Sequence, residues 1–106
     1  MVLVTFKYGS GAARSIDVPV GQSVMEAAVR LGIDGIDADC GGALSCATCH
    51  VWVDPGWLSL LTDRSRQETS LLEFAIGVQE NSRLCCQILA GPQLEGLIVE
   101  VPPAQK

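Results

Sequence analysis

Apolar and other positions alternate from the start of the chain, with Val2, Val4, Phe6 and Tyr8 falling on every second residue, the pattern of a half-buried strand. Gly9-Ser10-Gly11 then predicts a turn. A second strand follows, with Ile16, Val18 and Val20 on one face and Ser15, Asp17 and Pro19 on the other. Proline has no N–H to give a neighbour, so the end of this hairpin belongs at a sheet edge. The period then lengthens: Val24, Ala27, Ala28 and Leu31 stand at i, i+3, i+4 and i+7, one stripe of a helix. Ser23 and Glu26 make a capping box at its start, Gly32 is a suitable stop, and Met25, beside the stripe, is assigned to the core.

The second half repeats these signals more weakly. Val51-Trp52-Val53 reads as a short strand ended by Asp54-Pro55-Gly56, and Trp57 to Leu61 is ambiguous. Ser65-Arg66-Gln67-Glu68 is a second capping box, predicting a helix that turns Leu71, Leu72, Ala75 and Ile76 inward and ends at Gly77. Strands are expected over Leu84 to Leu89 and Leu97 to Val101, separated by Gly91-Pro92 and a turn of helix. These elements make an α+β domain, a mixed sheet crossed by a helix.

Composition adds limits. A chain of 106 residues is expected to form one domain, residues 1–106, and such a domain buries about two thirds of its unfolded surface. Hydrophobic residues at 48% against 18% charged describe a soluble globule with a core that needs no disulfides. No apolar run reaches the roughly 18 residues of a membrane span, and no secretory signal is visible, so the cytoplasm is the expected location. The net charge of −5 is uneven: Asp34, Asp37, Asp39, Asp54 and Asp63 lie between Arg30 and Arg64 with no Lys or Arg among them. Such a protein is poorly suited to nucleic acid or an anionic membrane and well suited to steering toward a basic patch on a partner.

The same stretch holds the chemistry. Residues 39–51, DCGGALSCATCHV, carry Cys40, Cys46 and Cys49, and residues 82–88, SRLCCQI, offer Cys85 and Cys86 as a fourth thiol. Structural zinc sites usually pair two short C-x2–4-C knuckles; here only Cys46 and Cys49 form one, and the longer Cys40 to Cys46 arc suits a loop folded over something larger than one ion. Thiolates are soft donors, and four of them complete a [2Fe–2S] cluster. Gly41, Gly42, Ala43, Ser45, Ala47 and Thr48 are small enough to let backbone N–H groups approach cluster sulfur. On a strand Cys85 and Cys86 would point to opposite faces, so both could not reach one cluster, but alternation does not choose between them. His50, the single histidine, cannot by itself make a Rieske site, which needs two; its expected role is to tie the cluster loop to a neighbouring segment by hydrogen bonds.

Cys40-x5-Cys46-x2-Cys49, then 36 residues and Cys86, resembles the adrenodoxin and putidaredoxin type of [2Fe–2S] ferredoxin. Plant-type ferredoxins have a gap of about four residues between the first two cysteines. The resemblance runs through DCGG, SCATCHV and SRLCCQI to the C-terminal strand. It implies a β-grasp fold, and its L-x-C-Q pattern falls on Leu84, Cys86 and Gln87, which makes Cys40, Cys46, Cys49 and Cys86 the metal ligands and leaves Cys85 a small, partly buried free thiol. The implied role is that of a monomeric bacterial one-electron carrier, not an enzyme, passing electrons from an FAD-containing NAD(P)H ferredoxin reductase to a cytochrome P450. The alternative is a ferredoxin of iron–sulfur cluster assembly, but such ferredoxins carry a very acidic helix where this chain has Arg64 and Arg66. Asp39 and Arg66 are the expected partner contacts. The tail Pro102-Pro103-Ala104-Gln105-Lys106 departs from the putidaredoxin pattern in lacking a terminal aromatic residue. Nearby carboxylates oppose an incoming electron, so a low reduction potential is expected.

Overall fold

Strand β1 (Val2–Tyr8) and strand β2 (Ala13–Val18) form the antiparallel hairpin that the alternation predicts, in register from Val2 opposite Val18 to Lys7 opposite Ala13. The structure is a computed structural model and describes residues 1–33, 50–61, 64–73, 75 and 77–102. Gly11, at φ 94°, supplies the left-handed turn position between the two strands. Val2, Val4, Phe6, Ile16 and Val18 are buried, whereas Val20 is 59% exposed because β2 ends before Pro19. β2 is indeed an edge strand: the sheet order is β2-β1-β5-β3-β4, with β3 at His50–Val53, β4 at Ser82–Leu84 and β5 at Leu97–Val101. β1 and β5 run parallel, and the remaining pairs are antiparallel, giving the expected mixed sheet.

Helix α1 (Val24–Arg30) starts where the capping box places it, with the Glu26 N–H donating to Ser23 Oγ at 3.1 Å. It buries Val24, Met25, Ala27 and Ala28 but not Leu31, which is 43% exposed as the C-cap residue; Ile33 takes the inward position instead. Arg14 of β2 donates from Nη1 to the Gly32 carbonyl at 3.1 Å and from Nη2 to that of Leu31 at 3.4 Å. A guanidinium here satisfies carbonyls the helix end leaves open and complements its negative pole.

Trp57 and Leu58 belong to a single turn, α2 (Pro55–Leu58), capped by Asp54, whose Oδ1 accepts from the Gly56 N–H at 3.0 Å. Helix α3 (Arg66–Leu72) begins at the second capping serine, with the Glu68 N–H donating to Ser65 Oγ at 3.1 Å. It stops at Leu72, earlier than predicted; Leu72 is buried, Leu71 and Ala75 pack against the core in part, and Ile76 lies outside the described residues. Gly77, at φ 75°, instead turns the following loop and accepts the Trp52 indole N–H on its carbonyl at 2.8 Å. The core between sheet and helices is filled by Phe6, Leu72, Leu84, Ile88, Leu94 and Leu97. Among the described residues, no helix is long and apolar enough to cross a membrane.

The largest departure from expectation is at residues 84–89. The strand ends at Leu84, and Cys85–Gln87 wind into a 3-10 turn; Leu89 returns to an isolated bridge with Ser23. An alternation argument therefore does not apply to Cys85 and Cys86, and both side chains are buried.

Candidate metal centre

The sheet register sets the residue that follows Cys49 opposite the residue that precedes Cys85. β3 begins one residue after Cys49, and its pairing with β4 sets His50 opposite Leu84 and Trp52 opposite Ser82, so the chain leaving the first stretch faces the chain entering the second. Cys40, Cys46, Cys49 and Asp39 lie outside the described residues. Of the predicted site, the structure places Cys86 in the 3-10 turn after β4 and Arg66, exposed, at the first position of α3.

The turn is held from both sides. The Ile88 N–H donates to the Cys85 carbonyl at 3.3 Å, and the Val24 N–H at the start of α1 donates to the Ile88 carbonyl at 2.8 Å. Upstream, the Glu68 carboxylate accepts from Arg83 Nε at 2.7 Å, from Arg83 Nη2 at 3.1 Å and from the Leu84 N–H at 2.9 Å. Glu68 thus does not complete a reciprocal capping box as the sequence pattern suggests; it is a buried ion-pair partner that fixes the backbone two residues before Cys86. Sequence reading missed this pair. The signal was Arg83 itself, a charge set between Ser82 and Leu84 in a stretch that must be buried, which requires a buried acceptor.

His50 has the tying role expected of it. Its Nε2 lies 2.8 Å from Ser82 Oγ, which also accepts the Gln79 N–H at 2.8 Å, so β3, β4 and the loop before β4 meet at one buried hydroxyl. Burial pushes the His50 pKa down to about 4. An unfolded chain takes up this proton near the ordinary value of about 6.5 and the folded chain does so only near 4, so His50 should reduce stability progressively as pH falls through that window and not above it. Urea midpoints measured between pH 7.5 and 4 should decline more steeply for the parent than for His50→Asn; parallel curves would show that the folded ring takes up its proton as readily as an unfolded one.

The donor set fits a thiophilic metal group as far as it is described. Cys85 and Cys86 are buried thiols, Cys85 fully and Cys86 nearly so, and Gln87 Nε2 lies 3.5 Å from Cys86 Sγ, a polar N–H aimed at sulfur. Among the described residues no three His, Cys, Asp or Glu side chains gather at metal-binding distance, and the three loop cysteines are outside that set.

Comparison with known proteins identifies the group. A model of the 2Fe-2S iron-sulfur cluster binding domain matches residues 8–91. Ferredoxin CarAc of a Sphingomonas species is 45% identical over 104 residues, covering 98% of this chain and 95% of that protein. Putidaredoxin of Pseudomonas putida is 42% identical over 106 residues, 99% of each chain. A solved structure of a putidaredoxin variant superimposes with a TM-score of 0.95 over 98% of this chain and 99% of that one, which identifies the sheet and helices above as the β-grasp of these ferredoxins. Putidaredoxin in its covalent complex with putidaredoxin reductase gives 0.89 at 42% identity, over 94% and 97% of the two chains. The chain therefore belongs to the 2Fe-2S iron–sulfur cluster binding domain family, as a putidaredoxin-like ferredoxin whose cofactor is one [2Fe–2S] cluster and whose work is electron transfer, not catalysis.

Proposed function

We propose that this ferredoxin accepts single electrons from an FAD-containing, NAD(P)H-dependent ferredoxin reductase and delivers them to a cytochrome P450 in the bacterial cytoplasm, acting as a monomeric single domain. The observation that carries this reading is similarity along almost the whole chain to putidaredoxin, a protein solved in covalent complex with a reductase. Cys40, Cys46, Cys49 and Cys86 hold the two irons, and Cys85 is a buried thiol beside them. The cluster, when bound, takes up and releases one electron. The protein's own residues do the rest: β3, β4 and the Glu68–Arg83 pair hold the Cys86 turn in place, while the acidic stretch between Arg30 and Arg64 steers the partner. Exposed Arg64 and Arg66, before and within the first turn of α3, favour this reading over cluster assembly.

Asp39, directly before the first ligand, and Arg66 are the residues assigned to docking. Exposed charges act over a Debye length of about 8 Å at physiological ionic strength, so their contribution to association fades as salt rises. Reduction of the protein by such a reductase, and its oxidation by a P450, should slow with added salt, and Asp39→Asn should slow transfer at low salt while leaving the visible spectrum intact. Rates indifferent to both salt and Asp39→Asn would place the interface on an uncharged surface.

A further inference from the structure

We propose that the Gln87 carboxamide tunes the reduction potential of the centre by donating a hydrogen bond to the Cys86 sulfur. This rests on the reading of Cys86 as an iron ligand. On the extended strand that the sequence suggests, residues 86 and 87 would point to opposite faces. The 3-10 turn over Cys85–Gln87 takes them off opposite faces: with about three residues per turn, neighbouring side chains lie about 120° apart, and Gln87 Nε2 comes to 3.5 Å from Cys86 Sγ. Sulfur is larger than oxygen and accepts at longer range. Donor and acceptor sit on the segment that Val24 anchors through Ile88 and that Glu68 anchors through Leu84, so the backbone that carries both is held on both sides.

Charge gives the direction. A metal-bound thiolate only accepts hydrogen bonds, so the carboxamide must present its NH2 group; the reversed amide would set two acceptors against each other. An N–H directed at this sulfur stabilises negative charge, and reduction adds negative charge to the centre, so the contact favours the reduced form. It works against the five aspartates between Arg30 and Arg64, which disfavour reduction. Gln87 is half-buried and lines a groove of about 170 Å³ with apolar Leu60, Leu61, Ile88 and Leu89 and with polar Arg83 and Gln93, so leucine at this position keeps apolar neighbours and leaves no hole in the core.

The test uses the full chain loaded with its cluster. Gln87→Leu should shift the one-electron equilibrium against reduction about threefold to tenfold, which at about 59 mV per tenfold is roughly 30–60 mV more negative. Gln87→Glu, with a carboxylate facing the sulfur, should shift it further in the same direction. Both should alter the visible circular dichroism bands of the centre, while the melting midpoint of Gln87→Leu stays near that of the parent. Cys86→Ser serves as the reference: it must change or abolish the spectrum. If it does, and Gln87→Leu keeps the parent potential and bands, the tuning role is overturned and the ligand assignment stands. If Cys86→Ser keeps the parent spectrum, the ligand assignment is overturned and the tuning role with it.

Discussion

Cys86→Ala should give a chain without iron–sulfur absorbance, and Cys85→Ala a chain that keeps it in full. Four thiolates complete a two-iron cluster, and removing one leaves an iron with an open position in a site whose binding free energy is coupled to folding. The Cys86 variant should therefore lose the cluster and much of its stability together. Cys85, fully buried with no disulfide, packs as a small apolar side chain; truncating it leaves a void of about one sulfur atom, costing about 1 kcal/mol and no colour. The Gln87 N–H directed at Cys86 is the observation that favours Cys86 over its neighbour. Iron content and visible absorption of the two purified variants decide the matter, and a colourless Cys85→Ala beside a coloured Cys86→Ala would reverse the assignment.

The β1–β2 hairpin, the cap of α1 and strand β5 were legible in the sequence because each rests on local physics: alternation, a serine hydroxyl three residues before a glutamate, and a terminal apolar run. The parallel pairing of β1 with β5 joins residues more than ninety positions apart, and no local pattern encodes it. The turn at Cys85–Gln87 was hidden for a different reason. Leu84, Cys86 and Ile88 alternate with other residues as they would on a strand, and the backbone departs from that pattern because α1 takes up the Ile88 carbonyl and Ser23 bridges to Leu89. Of the candidate site, residue types and spacing showed the five thiols and the kind of metal group they suit. They did not separate Cys85 from Cys86; resemblance to a family did, and the turn geometry now supplies a physical difference between them.

The same comparison exposes Glu68. Its place three residues after Ser65 makes it look like a capping residue, yet its carboxylate reaches β4 and is buried against Arg83. The surroundings explain why: a helix start faces water and needs little from a carboxylate, whereas the Arg83 guanidinium, buried between α3 and the sheet, needs a strong bidentate acceptor.

Glu68→Ala should accordingly be among the most destabilising single changes outside the cysteines. It removes the carboxylate that two Arg83 nitrogens and the Leu84 N–H point at, leaving a buried positive charge and a backbone donor without that acceptor. Breaking a buried pair in this way costs about 3–5 kcal/mol, and in a domain of this size each kcal/mol is worth about 4–8 °C of melting temperature, so the midpoint should fall by about 12 °C or more. Replacing both partners with apolar residues of similar volume, Glu68→Leu with Arg83→Met, should recover a large part of that loss, since it removes the buried charge that depended on this carboxylate, while the Leu84 N–H stays without that acceptor. Because Leu84 leads directly into the Cys85–Gln87 turn and its N–H loses the Glu68 carboxylate in both variants, Glu68→Ala and the double variant should each release the cluster faster than the parent. Thermal unfolding followed by circular dichroism, together with the bleaching rate of the visible bands at one fixed temperature, measures both effects. A Glu68→Ala midpoint within a few degrees of the parent would mean that water or another acceptor reaches Arg83, and that the turn is held by the Val24 contact alone.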